Sequence, residues 1–189
     1  MDLAKKLLVT ELLIKKAYSV FPSQQINILW SGGKDSTVLI HIIKNIYKTI
    51  PFPVVFADSS AEFAEVYSFI DRLEQKWDIP LVRVAYSQGG LLSKKKRNSL
   101  RLAINKKHQF RLTLSGIRWY EHFHTANRFY SKGYGTKILY PLLHWTSQDI
   151  WTYIKNNKVP YVDLYKKGYL HLETKYSSVK QPQNFPLPD

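Results

Sequence analysis

The chain contains no cysteine, so disulfides, thiolate zinc sites and cysteine nucleophiles are excluded from its 189 residues. Long apolar runs are missing as well. Nothing approaches the roughly 18 consecutive apolar residues of a membrane span. Met1-Asp2-Leu3-Ala4-Lys5-Lys6 lacks the apolar stretch and small-residue cleavage site of a secretory signal. A cytoplasmic protein without membrane contact is expected. Acidic residues are scarce, 14 against 28 Lys and Arg, giving a formal net charge of +14. Such a field attracts polyanions, whether nucleotides, nucleic acid or acidic partner surfaces, without choosing among them. Internal repeats and low-complexity segments are absent too. What remains, 44% hydrophobic and 14% aromatic, supports the core of one domain.

Leu3, Leu7, Leu8, Leu12, Ile14 and Tyr18 recur at helical spacing, predicting an amphipathic helix over about residues 2–19 before Pro22. Ile26–Trp30, Val54–Ala57, Leu81–Ala85 and residues 111–115 read as short apolar strands, and order returns at 138–141 after a looser stretch. Helices fall between them near 38–47, 62–77 and 98–107. Near-continuous apolar strands alternating with helices predict an α/β fold, a doubly wound, mainly parallel sheet sandwiched by helices with right-handed crossovers. Beyond Gly116 the pattern loosens, and a mobile loop carrying Gly133 and Gly135 is expected. Thr146 with Asp149 three residues on forms a variant capping box opening a helix that turns Ile150, Trp151 and Ile154 inward. The expected division is an N-terminal helix over 1–25, an α/β domain over 26–170 and a tail over 171–189.

The most informative segment is Ser31-Gly32-Gly33-Lys34-Asp35-Ser36-Thr37, directly after the strand Ile26–Trp30. A strand ending in a glycine turn that opens a helix presents unpaired N–H groups and the positive helix end to an anion. Lys34 adds a cation, and Ser31, Ser36 and Thr37 add hydroxyls. The spacing is not that of the Walker loop. Asp35 repels phosphate unless a cation intervenes, so it reads either as a magnesium ligand, direct or through water, or as a first-turn charge favoured by the helix dipole. Ligands collect at the carboxyl ends of parallel strands, where this loop, Asp58 and Gly116 all fall.

The loop is similar to the SGGKDS loop of PP-loop ATP pyrophosphatases. Three further segments follow in order. Phe56-Ala57-Asp58-Ser59-Ser60 through Glu65 resembles an Asp-Thr-Gly strand end followed by Phe-Pro-Glu-Thr. Gly116-Ile117-Arg118 with Glu121 resembles a Gly-Ile-Arg-Arg-Asp-Glu element. Pro141-Leu142-Leu143-His144-Trp145-Thr146 to Tyr165 and Gly168-Tyr169 resembles a Pro-Leu-x-x-Trp-Thr block ending in Leu-Tyr-x-x-Gly-Tyr. Together, over about residues 26–170, they resemble the phosphoadenosine phosphosulfate reductase family of the adenine nucleotide α-hydrolase superfamily. That group includes sulfonucleotide reductases, the small subunit of bacterial sulfate adenylyltransferase and FAD synthetase.

The resemblance implies ATP and Mg2+ as cofactors and cleavage between the α and β phosphates. AMP would pass to an acceptor, sulfate or FMN first, with release of pyrophosphate. It implies that Ser31, Gly32, Gly33, Lys34, Ser36, Thr37, Asp58 and Gly116 bind nucleotide, that Lys34, Asp35 and Arg118 act in catalysis, and that Trp119, Tyr120, Glu121 and Arg128 meet the acceptor. Family reductases use a cysteine shortly after the Gly-Tyr element. Here Leu170-His171-Leu172-Glu173-Thr174 follows, so thiol-dependent reduction has no nucleophile in this chain. Trp119-Tyr120 replaces Arg-Asp, and Thr125 replaces an expected arginine. The two aromatics suit stacking on a flat acceptor, or mark a non-catalytic nucleotide-binding or nucleic-acid-associated module. His122 and His124 stand in the same segment. Expected partners are a small-molecule acceptor and either a larger subunit or a second copy.

Overall fold

The computed structural model describes residues 1–58, 60–85, 94–119, 128–172 and 179–180. Its centre is a six-stranded sheet in the order β3-β2-β1-β4-β6-β5. Here β1 is Ile26–Trp30, β2 Val54–Asp58, β3 Leu81–Ala85, β4 Leu112–Leu114, β5 Tyr130–Gly133 and β6 Thr136–Leu139. All neighbours run parallel except β5, which pairs antiparallel with β6. The helices are α1 (Leu3–Val20), α2 (Lys34–Tyr47), α3 (Ala64–Trp77), α4 (Lys94–Lys107) and α5 (Ser147–Asn157). A small ribbon of β7 (Tyr169–His171) and β8 (Val179–Lys180) ends the described chain.

Right-handed crossovers put α2 and α3 on one face, because β1, β2 and β3 step in one direction. The return step from β3 to β4 puts α4 on the other face. The packing agrees. Ile28, Trp30, Val54 and Phe56 of the sheet pack with Val38 and Leu39 of α2 and Val66 and Ile70 of α3. On the opposite face, Leu29, Val55, Val82 and Val84 meet Leu100 and Ile104 of α4. Strands buried on both faces explain why they read as continuous apolar runs.

The first helix differs in orientation from the periodicity reading. Its core-facing row is Leu3, Leu7, Thr10, Ile14 and Ala17, while Leu8 and Leu12 are each 56% exposed and Tyr18 is 41% exposed. A buried hydroxyl decides the rotation. Thr10 Oγ1 donates to the Pro141 carbonyl at 2.8 Å and accepts from Trp145 Nε1 at 3.1 Å, and Lys6 donates to Asp149. Since Ile14 and Ala17 share the sheet's core, α1 is part of the same packed unit. The capping box at Thr146 is present with both reciprocal bonds.

The segment read as a mobile loop contains an antiparallel hairpin instead. Residues Tyr130–Gly133 pair with Thr136–Leu139 across a turn in which Tyr134 and Gly135 both have positive φ. Asn105 Nδ2 donates to the Tyr134 carbonyl at 2.9 Å, and the Arg101 guanidinium lies 5.2 Å from the Tyr134 ring. Contacts from a distant helix thus hold a turn with none of the usual turn pairs. Helix α4 begins at Lys94, four residues before the expected start. Among the described residues no helix is long and apolar enough to cross a membrane.

Candidate functional site

Strand order reverses between β1 and β4, so their carboxyl ends open the crevice in which such sheets hold ligands. Into it run the loop after β1, the end of β2 and the segment after β4. Gly32 takes φ +75°, which a side chain would strain, and its missing Cβ leaves room for Val66 and Ile70 of α3. Gly33 is the N-cap of α2 and supplies no side-chain cap. The first-turn amides of α2 are therefore left to other partners.

The hydroxyls of the loop mainly brace the loop itself. Thr37 is fully buried; its Oγ1 donates to the Gly33 carbonyl at 2.9 Å and accepts from Trp30 Nε1 at 3.0 Å. Ser36 Oγ donates to the same carbonyl at 3.1 Å and lies 3.3 Å from Ser31 Oγ. Ser31 is exposed and Gly33 N–H donates to its Oγ at 3.3 Å. Of the three hydroxyl residues assigned to phosphate, Ser31 is the one at the surface.

Charge is concentrated beneath the loop. Lys34 is 3% exposed and Arg118 1% exposed, and both face Asp35. Arg118 Nε lies 2.7 Å from Asp35 Oδ1, and Lys34 Nζ lies 3.1 Å from Asp35 Oδ2. Arg118 also donates to Ser147 Oγ, 3.2 Å away at the start of α5. The three residues assigned to catalysis therefore form one contiguous charged row. Asp35 as a magnesium ligand meets a competing arrangement, because each carboxylate oxygen already faces a cation. Among the described residues no group of three or more His, Asp or Glu side chains converges in a metal-like cluster.

Gly116 sits where β4 ends and α2 begins. A Cβ there would lie 2.9 Å from Ser36 N, 3.0 Å from Ser36 Cα and 3.1 Å from the Asp35 carbonyl carbon. Its part in the site is close backbone approach, which fixes Arg118 two residues on. Asp58 organises its own turn, accepting from Ser60 N–H at 2.7 Å and from the Tyr67 hydroxyl at 2.6 Å. Desolvation, joined by that carboxylate, pushes the Tyr67 phenol up to about 12. Trp119 packs half-buried among Ile117, Ile138, Tyr140 and Leu143. Arg128 is exposed just before β5. Tyr120, Glu121, His122, His124 and Thr125 lie outside the described residues.

The C-terminal segment supplies contacts that spacing did not disclose. Lys34 N–H, the first amide of α2, donates to the Tyr165 hydroxyl at 3.0 Å. Lys34 Nζ donates to the Leu170 carbonyl at 3.2 Å and lies 5.2 Å from the Tyr165 ring centre. Tyr165 otherwise packs edge-on to Trp151, which is all that its apolar neighbours signalled.

This geometry is accompanied by clear similarity to known proteins. The family model described as "Phosphoadenosine phosphosulfate reductase domain" matches residues 25–176. The chain is 30% identical over 179 residues to sulfate adenylyltransferase subunit 2 of Buchnera aphidicola, a match covering 72% of this chain and 59% of that protein. It is 27% identical to adenosine 5'-phosphosulfate reductase of Halalkalibacterium halodurans, covering 87% and 78%. The first curated relatives are matched over about half their length, 43% and 59%. The crystal structure of yeast FAD synthetase in complex with FAD shares the fold, with TM-score 0.78 and 20% identity over 95% of this chain and 67% of that one. Loop, sheet and crevice are those of an adenine nucleotide α-hydrolase-like fold, and the chain belongs to the phosphoadenosine phosphosulfate reductase domain family.

Proposed function

We propose that this protein binds ATP in the crevice between β1 and β4 and transfers AMP to an oxyanion acceptor, releasing pyrophosphate. The observation that carries the reading is the start of α2. The helix opens at the carboxyl end of the central strand without a side-chain cap from Gly33, and buried Lys34 lies directly beneath. Backbone amides, helix dipole and ammonium group all favour an anion there. Arg118, on the far side of Asp35, is placed to stabilise charge on the α phosphate or on the acceptor.

In the proposed step an acceptor oxygen attacks the α phosphorus. The new O–P bond forms as the bond to the α–β bridging oxygen breaks, and the electron pair leaves with pyrophosphate. No covalent enzyme intermediate is required, since such transfers depend on positioning and charge stabilisation. Magnesium would arrive on the polyphosphate; Asp35, faced by Lys34 and Arg118, does not fit a resident magnesium site. Sulfate and the phosphate of FMN share the oxyanion chemistry, and relatives and fold neighbours named for both support them as first acceptors. No thiol exists among these 189 residues to attack sulfonucleotide sulfur.

The test is incubation with ATP labelled on the α phosphate, with sulfate and with FMN in separate arms. Release of pyrophosphate together with an adenylylated product is expected in one arm. Lys34→Ala should abolish that product and weaken ATP binding. ATP binding without product in either arm would favour a nucleotide-binding module, and unchanged ATP affinity in Lys34→Ala would refute the site.

A further inference from the structure

The positive charge of this chain is segregated. Residues 79–148 hold thirteen of its 28 basic residues and one of its 14 acidic residues, so they carry +12 of the net +14. Two of the thirteen, Arg83 and Arg118, are paired with carboxylates. No ion pair among the described residues involves Arg111, Arg128, Lys132 or Lys137, and all four are exposed.

Among the described residues β5 is the last strand on its side of the sheet; Arg128 and Lys132 lie on or beside it, Lys137 on the neighbouring β6 and Arg111 just before β4. Alternation along β5 puts Tyr130 and Lys132 on one face, about 6.8 Å apart at twice the strand rise, and Arg128 lies exposed two residues before the strand. The pairing reaches back to Phe129, whose carbonyl accepts from Tyr140 N–H at 2.9 Å. Exposure follows the same alternation, with Tyr130 41% exposed and Phe129 and Ser131 half-buried. On the neighbouring strand Lys137 stands directly opposite Lys132. Its ammonium and the Arg111 guanidinium lie 6.0 Å and 5.9 Å from the Phe21 ring.

Like charges directly opposite each other weaken a strand pair. An edge strand protected by lysine is ordinary; here a lysine faces a lysine, Tyr130 is exposed two residues from Lys132, and among the described residues no carboxylate pairs with either lysine, an arrangement that favours an anion. We propose that this edge binds single-stranded nucleic acid. Phosphates would meet Arg128, Lys132, Lys137 and Arg111, and a base would stack on Tyr130, the combination of cationic track and aromatic platform that sequence-tolerant single-strand binding uses. An acidic peptide matches the cations but offers no planar ring to Tyr130. Helix α4 extends the basic field around the hairpin, to which Arg101 and Asn105 tie it, through exposed Lys95, Arg97, Lys106 and Lys107.

Fluorescence anisotropy with a short labelled oligouridine, titrated at several salt concentrations, tests the proposal. Binding that weakens steeply with salt is expected. The double change Lys132→Glu/Lys137→Glu should lower the magnitude of the salt slope by about 1.4, at about 0.7 for each phosphate that is no longer neutralised. Tyr130→Ala should weaken binding at least about fivefold. Lys137→Glu alone should weaken binding while raising the urea midpoint, because it replaces a repulsive cross-strand pair by an attractive one; a merely structural role would not move the two in opposite directions. Lys34→Ala should leave oligouridine binding unchanged, which separates this surface from the nucleotide crevice. Absence of binding, equal binding of duplex DNA, polyglutamate or anionic vesicles, or indifference to the charge reversals would overturn it.

Discussion

Replacing Gly116 by alanine adds one methyl group at the most crowded backbone junction of the site. The Cβ would stand 2.9–3.1 Å from three atoms, and all three are backbone atoms of Asp35 and Ser36 in the first turn of α2. No side chain can rotate away, so either β4 or the start of α2 must move. Overpacking of this kind costs about 1–3 kcal/mol. With an m-value of about 2 kcal/mol/M the urea midpoint should drop by about 0.5–1.5 M. Gly133→Ala is the control, since its Cβ would meet only the rotatable Cδ1 of Ile138, at 3.0 Å, and a change below about 0.5 kcal/mol is expected, as at most surface positions. Because Arg118 follows Gly116 by two residues, calorimetry should also show weaker ATP binding in Gly116→Ala. If Gly116→Ala unfolds at the same urea concentration as Gly133→Ala and binds ATP as the parent does, the close approach is not what joins β4 to the loop.

Two further outcomes follow from single contacts. Tyr165→Phe removes the acceptor of Lys34 N–H and should cost about 0.5–1.5 kcal/mol in urea unfolding. By releasing that amide it should tighten binding of inorganic pyrophosphate in calorimetry; weaker binding would mean that the hydroxyl itself holds the anion. Burial raises the Asp149 carboxyl, but the Lys6 and Thr146 hydrogen bonds outweigh it and bring its pKa below the ordinary 3.8. Its stabilising contribution is therefore present above that value and is lost as pH falls through the lower folded value. Lys6→Met should shrink the loss of stability on acidification, and an unchanged pH profile of thermal unfolding would assign the shift to Thr146 alone.

What was legible in the sequence follows from where the determining forces act. The central strands β1, β2 and β4 were readable because burial on both faces leaves an apolar run. The turn between β1 and α2 was readable because the Gly-Gly pair sits directly between an apolar strand and a helical pattern. Other features depend on partners far along the chain. Thr10 fixes the rotation of α1 through Pro141 and Trp145, 131 and 135 residues away, whereas periodicity weighed the more apolar Leu8 and Leu12. The Tyr130–Leu139 hairpin is held by Arg101 and Asn105 of α4 in addition to the positive φ of Gly135 and the Thr136 hydroxyl bond to the Gly133 carbonyl. The role of Tyr165 at Lys34 N–H joins residues 131 apart, and no local pattern encodes it. Thr37 shows the converse. A hydroxyl in a phosphate-type loop looked like a ligand donor, yet Trp30 Nε1 and the Gly33 carbonyl use both of its capacities.

The missing cysteine then acquires structural meaning. Among the described residues the C-terminal segment brings to the loop the Tyr165 phenol, at Lys34 N–H, and the Leu170 carbonyl, at Lys34 Nζ. A carbonyl oxygen is no nucleophile, and a phenol hydroxyl lacks the intrinsic nucleophilicity of a thiol. Neither can replace a thiolate, but both can compete with a phosphate for the same two donors of Lys34. Lys34 Nζ carries a third N–H beyond those directed at Asp35 and Leu170, so an anion held there under the proposed function would share the ammonium with them and take the place of the Tyr165 hydroxyl at Lys34 N–H. Under the proposed function, pyrophosphate or a nucleotide tail would span more of the loop than a single sulfate and so meet the amide and the ammonium of Lys34 together.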